Sequence, residues 1–241
     1  MSTNAASEDA PWTHKLAKGA VEQLGGPVQS FEPVNQICQH LSGIHCYAHD
    51  LTRQVIAEHY CTHKGNMHQC IIYDSDKPDA RLIGIEYIID EPTFMSLSAD
   101  EKRYWHSHVF EVESGQLTVV SKRGVPNAAI DLAERPVLQD LRKTFGKTIH
   151  TWQYDVHPEL PLGPPQMMLA FTAPGQADEE LVKKRDTALG ISSDDKHEQR
   201  KEWLDPPMGQ YKKPEGADQW TVDGKSIQLE VKEVNMKLKK D

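Results

Sequence analysis

The sequence lacks any long hydrophobic run. No stretch of its 241 residues approaches the roughly 20 consecutive apolar residues that a helix needs to span a bilayer. The first ten residues also lack the basic and apolar regions of a signal peptide, and the ends carry no myristoylation or prenylation signal. These absences predict a cytoplasmic protein without a transmembrane segment.

Positive charge is scarce as well. With 27 Lys and Arg against 36 Asp and Glu, the formal net charge is -9. This balance argues against nucleic acid as a partner, because phosphate contacts need a clustered basic face. The basic cluster that does exist lies at the C-terminus and is predicted to be a solvated tail rather than a membrane or nucleic-acid arm. It consists of Lys232, Lys237, Lys239 and Lys240.

Cysteine is rare, but histidine is concentrated around it. In a reducing cytoplasm, four cysteines in a chain of this length are expected to be thiols or metal ligands rather than a disulfide framework. All four cysteines and eight of the twelve histidines fall between Cys38 and His108. Because imidazole and thiolate bind borderline-soft divalent metals, this stretch is the predicted location of a site.

The spacing of apolar residues predicts an α+β fold, a single domain with a mainly antiparallel sheet and flanking helices. We expect a disordered tail over residues 1–12, a domain over 13–204 that starts with a short helix at 13–24, and an irregular extension over 205–241. Residues 54–63 and 69–73 are predicted to form a hairpin in which His63 faces His68 and Cys61 faces Cys70. Residues 81–89, apolar on both faces, are predicted to form a central strand.

The remaining elements are predicted from caps, glycines and prolines. Helices are expected from Ser98 toward Trp105, from Pro136 to Phe145, from Glu179 to Leu189 and over about 194–203, with a loop over 121–134. Strands are expected over 147–156 and 166–172, and a late hairpin over 221–231 around Asp223-Gly224.

His106-Ser107-His108 is the sharpest chemical motif. On a strand, the two imidazoles project from one face, about 7 Å apart at the backbone, and can share a metal. With Glu111 they make two histidines and a carboxylate, the ligand set of many non-haem iron and some zinc sites. The spacing to Glu113 matches the first half of a cupin motif, but the second half is absent. The alternative is that both histidines are structural.

Three further constellations compete with this motif. The hairpin could present a closed His/Cys site that resembles structural zinc sites. The alternative is that these are ordinary strand residues whose buried thiols act as small hydrophobic groups. His49-Asp50 suggests a dyad, although adjacent strand residues point to opposite faces. A Cys-His nucleophile pair lacks any visible oxyanion hole or activating helix N-terminus. The hairpin set is His59, Cys61, His63, His68 and Cys70.

Many short blocks, in order along the chain, resemble the oil-body-associated protein family, first grouped as a domain of unknown function. They include His49-Asp50-Leu51, His59-Tyr60-Cys61-Thr62, Tyr73-Asp74-Ser75-Asp76, Glu86-Tyr87-Ile88, Trp105-His106-Ser107-His108 with Glu111, Thr151-Trp152-Gln153 and Leu160-Pro161-Leu162-Gly163. The resemblance covers about Pro33 to Asp195. It implies relatives on plant seed oil bodies, and others in fungi and bacteria, and therefore a lipid-droplet connection rather than an established reaction.

The resemblance also sorts the candidate ligands by position. The family pattern includes His49, His59, Cys61, Cys70, His106, His108 and Glu111, whereas His45, His63, His68 and Glu113 fall outside it. Our hypothesis is therefore a mononuclear site for a divalent ion (Fe, Zn, Mn or Cu). Its ligands would be His106, His108 and Glu111, completed by His49 or His59.

Three functions follow from these observations. The metal site could support isomerisation, hydrolysis or oxygen chemistry on an unknown small molecule or lipid. The alternative is a non-enzymatic protein at the lipid-droplet surface. In the third, the histidines are structural and the protein binds a partner.

Overall fold

The computed structural model describes residues 29–122 and 124–238, so the predicted tail at 1–12 and the helix at 13–24 lie outside the described residues. Val34–Gln36 form a single turn of 3-10 helix. From Cys38 onward the described chain forms one compact unit. Its strands are β1 (Gln39–Tyr47), β2 (Asp50–Lys64), β3 (Met67–Tyr73), β4 (Leu82–Asp90), β5 (His106–Ser107), β6 (Thr118–Val119), β7 (Thr144–His150) and β8 (Gln166–Leu169).

The antiparallel sheet closes into a barrel. Hydrogen-bonded neighbours follow the order β2-β3-β4-β7-β8-β1, and β1 pairs again with β2, while β6 pairs with β1 and β5 with β7. The predicted combination of an antiparallel sheet with helices is therefore found, but the closure was not predicted. Closure matters for the site because the inward-facing side chains of every strand share one interior.

The hairpin register and the central strand are confirmed. On β2 and β3, Cys61 lies opposite Cys70 and His63 opposite His68. Gly65, with φ of +60°, supplies the turn between them. β4 lies between β3 and β7, and its register places Glu86 opposite Cys70.

The prediction of free thiols is wrong for two of the four cysteines. Cys61 and Cys70 form a disulfide between β2 and β3, because directly opposite residues on antiparallel strands bring their Cβ atoms within bridging distance. A nucleophilic thiol at either position is therefore excluded in this state. Cys38 is an exposed thiol and Cys46 a buried one, and burial raises the pKa of Cys46 to about 12.

The described helices surround the barrel. They are α1 (Glu91–Ser96), α2 (Ala99–Lys102), α3 (Val109–Glu113), α4 (Asn127–Leu141), α5 (Glu179–Leu189), α6 (Ser193–Arg200) and α7 (Trp220–Asp223). As predicted, Ser98 caps α2 by accepting from the Glu101 N–H, and α5 ends at the left-handed Gly190. Among the helices of the described residues, none combines the length and the apolar character that a membrane crossing requires.

Two predicted elements are wrong. α4 begins at Asn127, within the expected loop, and contains Pro136 in its interior instead of starting there. Helix formers such as Ala128 and Ala129 carry the helix, and Pro136 costs it one backbone hydrogen bond. The late hairpin is absent from the described residues, since Gly224 ends α7 as a left-handed cap and residues 225–238 have no regular structure.

Candidate metal centre

A buried carboxylate lies inside the barrel. Glu86 is 2% exposed and shares the inward face of β4 with Gly84 and Ile88. An ionised carboxylate in such surroundings needs partners. Histidines supply them: His59 Nε2 lies 2.9 Å from Glu86 Oε2, and the Nε2 atoms of His106 and His108 lie 3.3 and 3.4 Å from Oε1.

β5 positions the His-x-His motif, although only His106 and Ser107 are extended. Between the histidines, Ser107 donates its N–H and its hydroxyl to the two oxygens of Asp218, at 2.9 and 2.6 Å. His108 then begins the turn into α3, with φ of -86° and ψ of 5°. The anchored Ser107 therefore lets both imidazoles reach Glu86.

The orientation of His108 is fixed by a neighbouring hydroxyl. Thr144 Oγ1 donates to the Leu141 carbonyl at 2.6 Å and lies 2.8 Å from His108 Nδ1. Because its proton is used, this hydroxyl accepts from Nδ1–H, which leaves the lone pair of His108 on Nε2. Outer hydrogen bonds of this kind set the tautomer of metal-binding histidines.

The contacts around Glu86 are short but poorly directed for hydrogen bonding. Nε2 of His59, Nε2 of His106 and Oε1 of Glu86 are fully buried, yet none has a partner in hydrogen-bonding geometry. Donor atoms held at about 2.0–2.1 Å from one ion in tetrahedral or octahedral geometry lie roughly 2.8–3.4 Å apart. The observed separations of 2.9, 3.3 and 3.4 Å agree with that spacing. The atoms therefore converge as metal ligands do.

More donors surround the same small space. One donor atom each from His45, His59 and Glu86 lies within 4.8 Å of the others, and the same holds for Glu86, His106 and His108. A cavity of about 10 Å³ lies among them, the size of one water or one ion. We call the buried histidines and carboxylates gathered around Glu86 the Glu86 cluster: His45, His59, Glu86, His106, His108 and Glu111, each at most 3% exposed.

Burial and neighbouring charges shift the pKa values of the cluster residues in different directions. Burial lowers the pKa of His45 well below its ordinary value, and His45 Nδ1 lies 3.1 Å from His150 Nε2. For His59 and His106 burial acts in the same direction, but the adjacent Glu86 outweighs it and raises both pKa values. Burial opposes ionisation of Glu86 too, but the imidazoles outweigh it and hold the Glu86 pKa well below its usual range. The site is therefore organised around a Glu86 carboxylate.

Comparison with known proteins shows which family the chain belongs to. Residues 31–204 match a family described as a protein of unknown function (DUF1264). The chain is 40% identical over 226 residues to Oil body-associated protein 1B of Arabidopsis thaliana, which covers 93% of this chain and 88% of that protein. The chain belongs to the family of oil body-associated proteins. The resemblance seen in the sequence blocks is thereby confirmed.

Other oil body-associated proteins match to a similar extent. Oil body-associated protein 1A of Zea mays is 39% identical over 217 residues, 90% of this chain and 86% of that protein. Oil body-associated protein 2B of Zea mays is 36% identical over 247 residues, 98% of this chain and 92% of that protein. No solved structure matches this member of the oil body-associated family.

The fold brings together four of the five ligand candidates of this oil body-associated protein: His59, His106, His108 and Glu111 all line the barrel interior. The fifth, His49, lies on the exposed turn between β1 and β2. It does not join them, because the chain leaves the strand there. Asp50 beside it accepts from the Thr52 N–H and hydroxyl instead, and among the described residues no hydrogen bond joins it to His49.

Three residues of the interior were missed from the sequence: Glu86, His45 and His150. Glu86 had a signal, since it is a lone carboxylate on a strand that is apolar on both faces. His45 and His150 lie 105 residues apart in the chain, so no local pattern links them. Glu113, the cupin-like candidate, instead pairs with Arg142 at 2.6 Å.

Proposed function

We propose that this oil body-associated family member acts at the surface of lipid droplets and that its barrel holds one structural divalent metal ion. The names of the relatives carry the first part, since proteins 36–40% identical over most of the chain are named for oil bodies. The second part is supported by the convergence of donor atoms on Glu86, where His59 Nε2, His106 Nε2 and Glu86 Oε1 have no hydrogen-bond partner.

An apolar loop between β7 and β8 supports contact with lipid. Val156, Leu160 and Leu162 are 54%, 60% and 51% exposed there. Clustered exposed apolar side chains mark interaction surfaces more often than isolated ones do. Insertion of a leucine into hydrocarbon gains roughly 1.5–3 kcal/mol.

Two side-chain hydrogen bonds fix the backbone of the loop. Trp152 Nε1 donates to the His157 carbonyl at 2.7 Å, and Arg81 Nε donates to the Pro158 carbonyl at 3.1 Å. Prolines at 158, 161, 164 and 165 further restrict the backbone. The leucines are therefore presented outward at little entropic cost, which favours insertion into a lipid surface.

The double variant Leu160→Ser/Leu162→Ser tests the loop. We expect its bound fraction on triacylglycerol droplets coated with phosphatidylcholine to fall about tenfold or more, since two leucine insertions are lost. Flotation of the purified full-length chain measures this, alongside a fluorescent fusion in lipid-loaded cells. Leu132→Ser, on α4 and 64% exposed, is the matched control and should bind as the wild type does. Unchanged binding of the double variant would refute the role of the loop in droplet binding. A wild-type protein that never floats with the droplets would refute droplet association itself.

The metal proposal assigns His59, Glu86, His106 and His108 as ligands, with His45 and Glu111 completing the shell. Imidazole with carboxylate suits zinc, iron, copper or manganese. The donors are at most 3% exposed around a cavity of about 10 Å³, which leaves no room for a substrate beside the ion. Closed sites of this kind are structural. The non-enzymatic hypothesis is therefore better supported than an isomerase, hydrolase or oxygenase.

Metal content of the untagged, gel-filtered protein tests this centre. We expect about one transition metal ion per chain by ICP-MS in the wild type. His106→Ala removes a donor and should lose the ion, whereas His49→Ala, on its exposed turn, should keep it. A wild-type chain that stays metal-free after incubation with zinc, iron, copper and manganese would refute the proposal.

A further inference from the structure

A second pair of histidines lies at the end of the β2–β3 hairpin, outside the Glu86 cluster. His63 and His68 occupy directly opposite positions beside the turn at Gly65. Their ring centroids are 4.1 Å apart and the rings are tilted by 50°. Opposite side chains on antiparallel strands have Cβ atoms about 4.5–5.5 Å apart. Two imidazoles so placed can bind one ion at about 2.0–2.1 Å from each nitrogen.

Within the part of the chain that the structure describes, neither imidazole has another hydrogen-bond partner. His63 is exposed and His68 half-buried, and within residues 29–122 and 124–238 neither ring contacts a carboxylate at ion-pair distance. His68 Nδ1 is fully buried without a hydrogen-bond partner. Burial, with the charges of His63 and His108, lowers the pKa of His68 to about 4. The His68 ring is therefore neutral near pH 7, the form that binds metal.

His63 and His68 lie on the same face of the sheet as Glu86, one row of cross-strand neighbours closer to solvent. Across β2, β3 and β4, Cys61, Cys70 and Glu86 lie side by side, and the next row on the same face is His63, His68 and Ile88. His68 feels the charge of His108, a member of the Glu86 cluster. The exposed His63 and the half-buried His68 thus lead from solvent to the closed interior.

We propose that His63 and His68 form a second, exchangeable binding site for a divalent transition ion, through which the Glu86 cluster is loaded. Two-histidine chelation suits zinc, nickel and copper, and excludes calcium and magnesium, which require oxygen ligands. The site stands on its own geometry. Its loading role rests on the proposed metal centre, because a closed cluster needs a route by which the ion enters.

The test separates chelator-labile from chelator-resistant zinc in the full-length, untagged chain. Metal-stripped protein is dialysed against Zn²⁺, and bound zinc is counted by ICP-MS before and after a brief EDTA treatment. We expect the wild type to hold one labile and one resistant ion. His63→Gln/His68→Gln should lose the labile ion, with zinc affinity at that site at least tenfold weaker, and should fill the resistant site at least tenfold more slowly. His49→Gln is the matched control for an exposed histidine and should behave as the wild type does.

Glu86→Gln makes the outcomes distinguishable, since it should lose the resistant ion and keep the labile one. A labile count that is the same in the wild type and the double variant would overturn the second site. If the labile ion disappears but the resistant ion appears at the wild-type rate, the site stands and the loading role is wrong. If no chain acquires resistant zinc while the labile ion still depends on both histidines, the second site stands and the buried centre fails, together with the loading role.

Discussion

Glu86→Gln is expected to abolish metal binding in the barrel and to leave a folded chain whose stability no longer responds to chelators. Glu86 is the carboxylate that His59, His106 and His108 all approach, at 2.9–3.4 Å. Glutamine keeps the shape of the side chain but removes the negative charge that offsets a divalent cation. The amide is also a much poorer ligand for transition metals.

The expected size follows from linkage between binding and folding. A metal present at about one hundred times its Kd adds about 2.7 kcal/mol to the free energy of unfolding. For a chain of this length, that is a rise in Tm of about 5–10 °C. Prolonged dialysis against EDTA, long enough to empty the buried centre, should therefore lower the Tm of the wild type by about this amount and leave the Tm of Glu86→Gln unchanged. After a brief EDTA treatment has removed any ion held by His63 and His68, ICP-MS should find about one ion per wild-type chain and none in the variant.

Glu134→Gln is the matched control. Glu134 is buried to the same 2% as Glu86, but it pairs with Lys196 and Arg200, both at 3.0 Å. Breaking a buried ion pair costs about 3–5 kcal/mol, so this variant should melt earlier and still respond to EDTA. If Glu86→Gln retained the ion, or if EDTA left the wild-type Tm unchanged, the Glu86 cluster would not be a stabilising metal centre.

The sequence predicted those parts of the fold that local contacts determine. The β2–β3 hairpin is short-range: its alternating strand residues and its turn at Gly65 set the register of Cys61 and His63 correctly. Barrel closure depends on β1 pairing with β8, which brings Cys46 against Leu169. That contact spans 123 residues, and no periodicity within either strand encodes its partner.

Ligand chemistry pointed to some residues of the candidate site, but the sequence did not point to those that only burial reveals. His106 and His108 stand out in any sequence because imidazoles two residues apart are unusual. Glu86 is one of 36 acidic residues, and only the closed barrel shows that it faces inward. His49 was proposed as a ligand from its place in the family pattern, but the turn after β1 leaves it exposed and apart from the other candidates. Helix α4 shows the same limit, because the sequence rule for Pro136 does not distinguish a first turn from an interior.

Gly146→Ala is expected to destabilise the protein severely, by about 3 kcal/mol or more in the free energy of unfolding. On β7, Gly146 lies opposite Ile88 of β4 on one side and His106 of β5 on the other. A Cβ added there would lie 1.9 Å from Glu86 Oε1 and 2.8 Å from His106 Nε2. Both side chains are buried, and the cavity of about 10 Å³ beside Glu86 is too small to take up the displaced groups. The Glu86 carboxylate therefore occupies the space that a side chain at position 146 would need.

Gly43→Ala separates this packing effect from the general cost of changing a barrel glycine. Gly43 lies on β1 facing the same interior, but its added Cβ would meet Leu117, Glu111 and His59 at 3.5–3.7 Å, ordinary contact distances. Its free energy of unfolding should change by less than about 1 kcal/mol. Urea denaturation of the three proteins, with metal content measured on each, checks both expectations. A Gly146→Ala chain that unfolds at the wild-type urea concentration with its ion in place would mean that Glu86 is not held against β7, and the geometry proposed for the ligands would have to be abandoned.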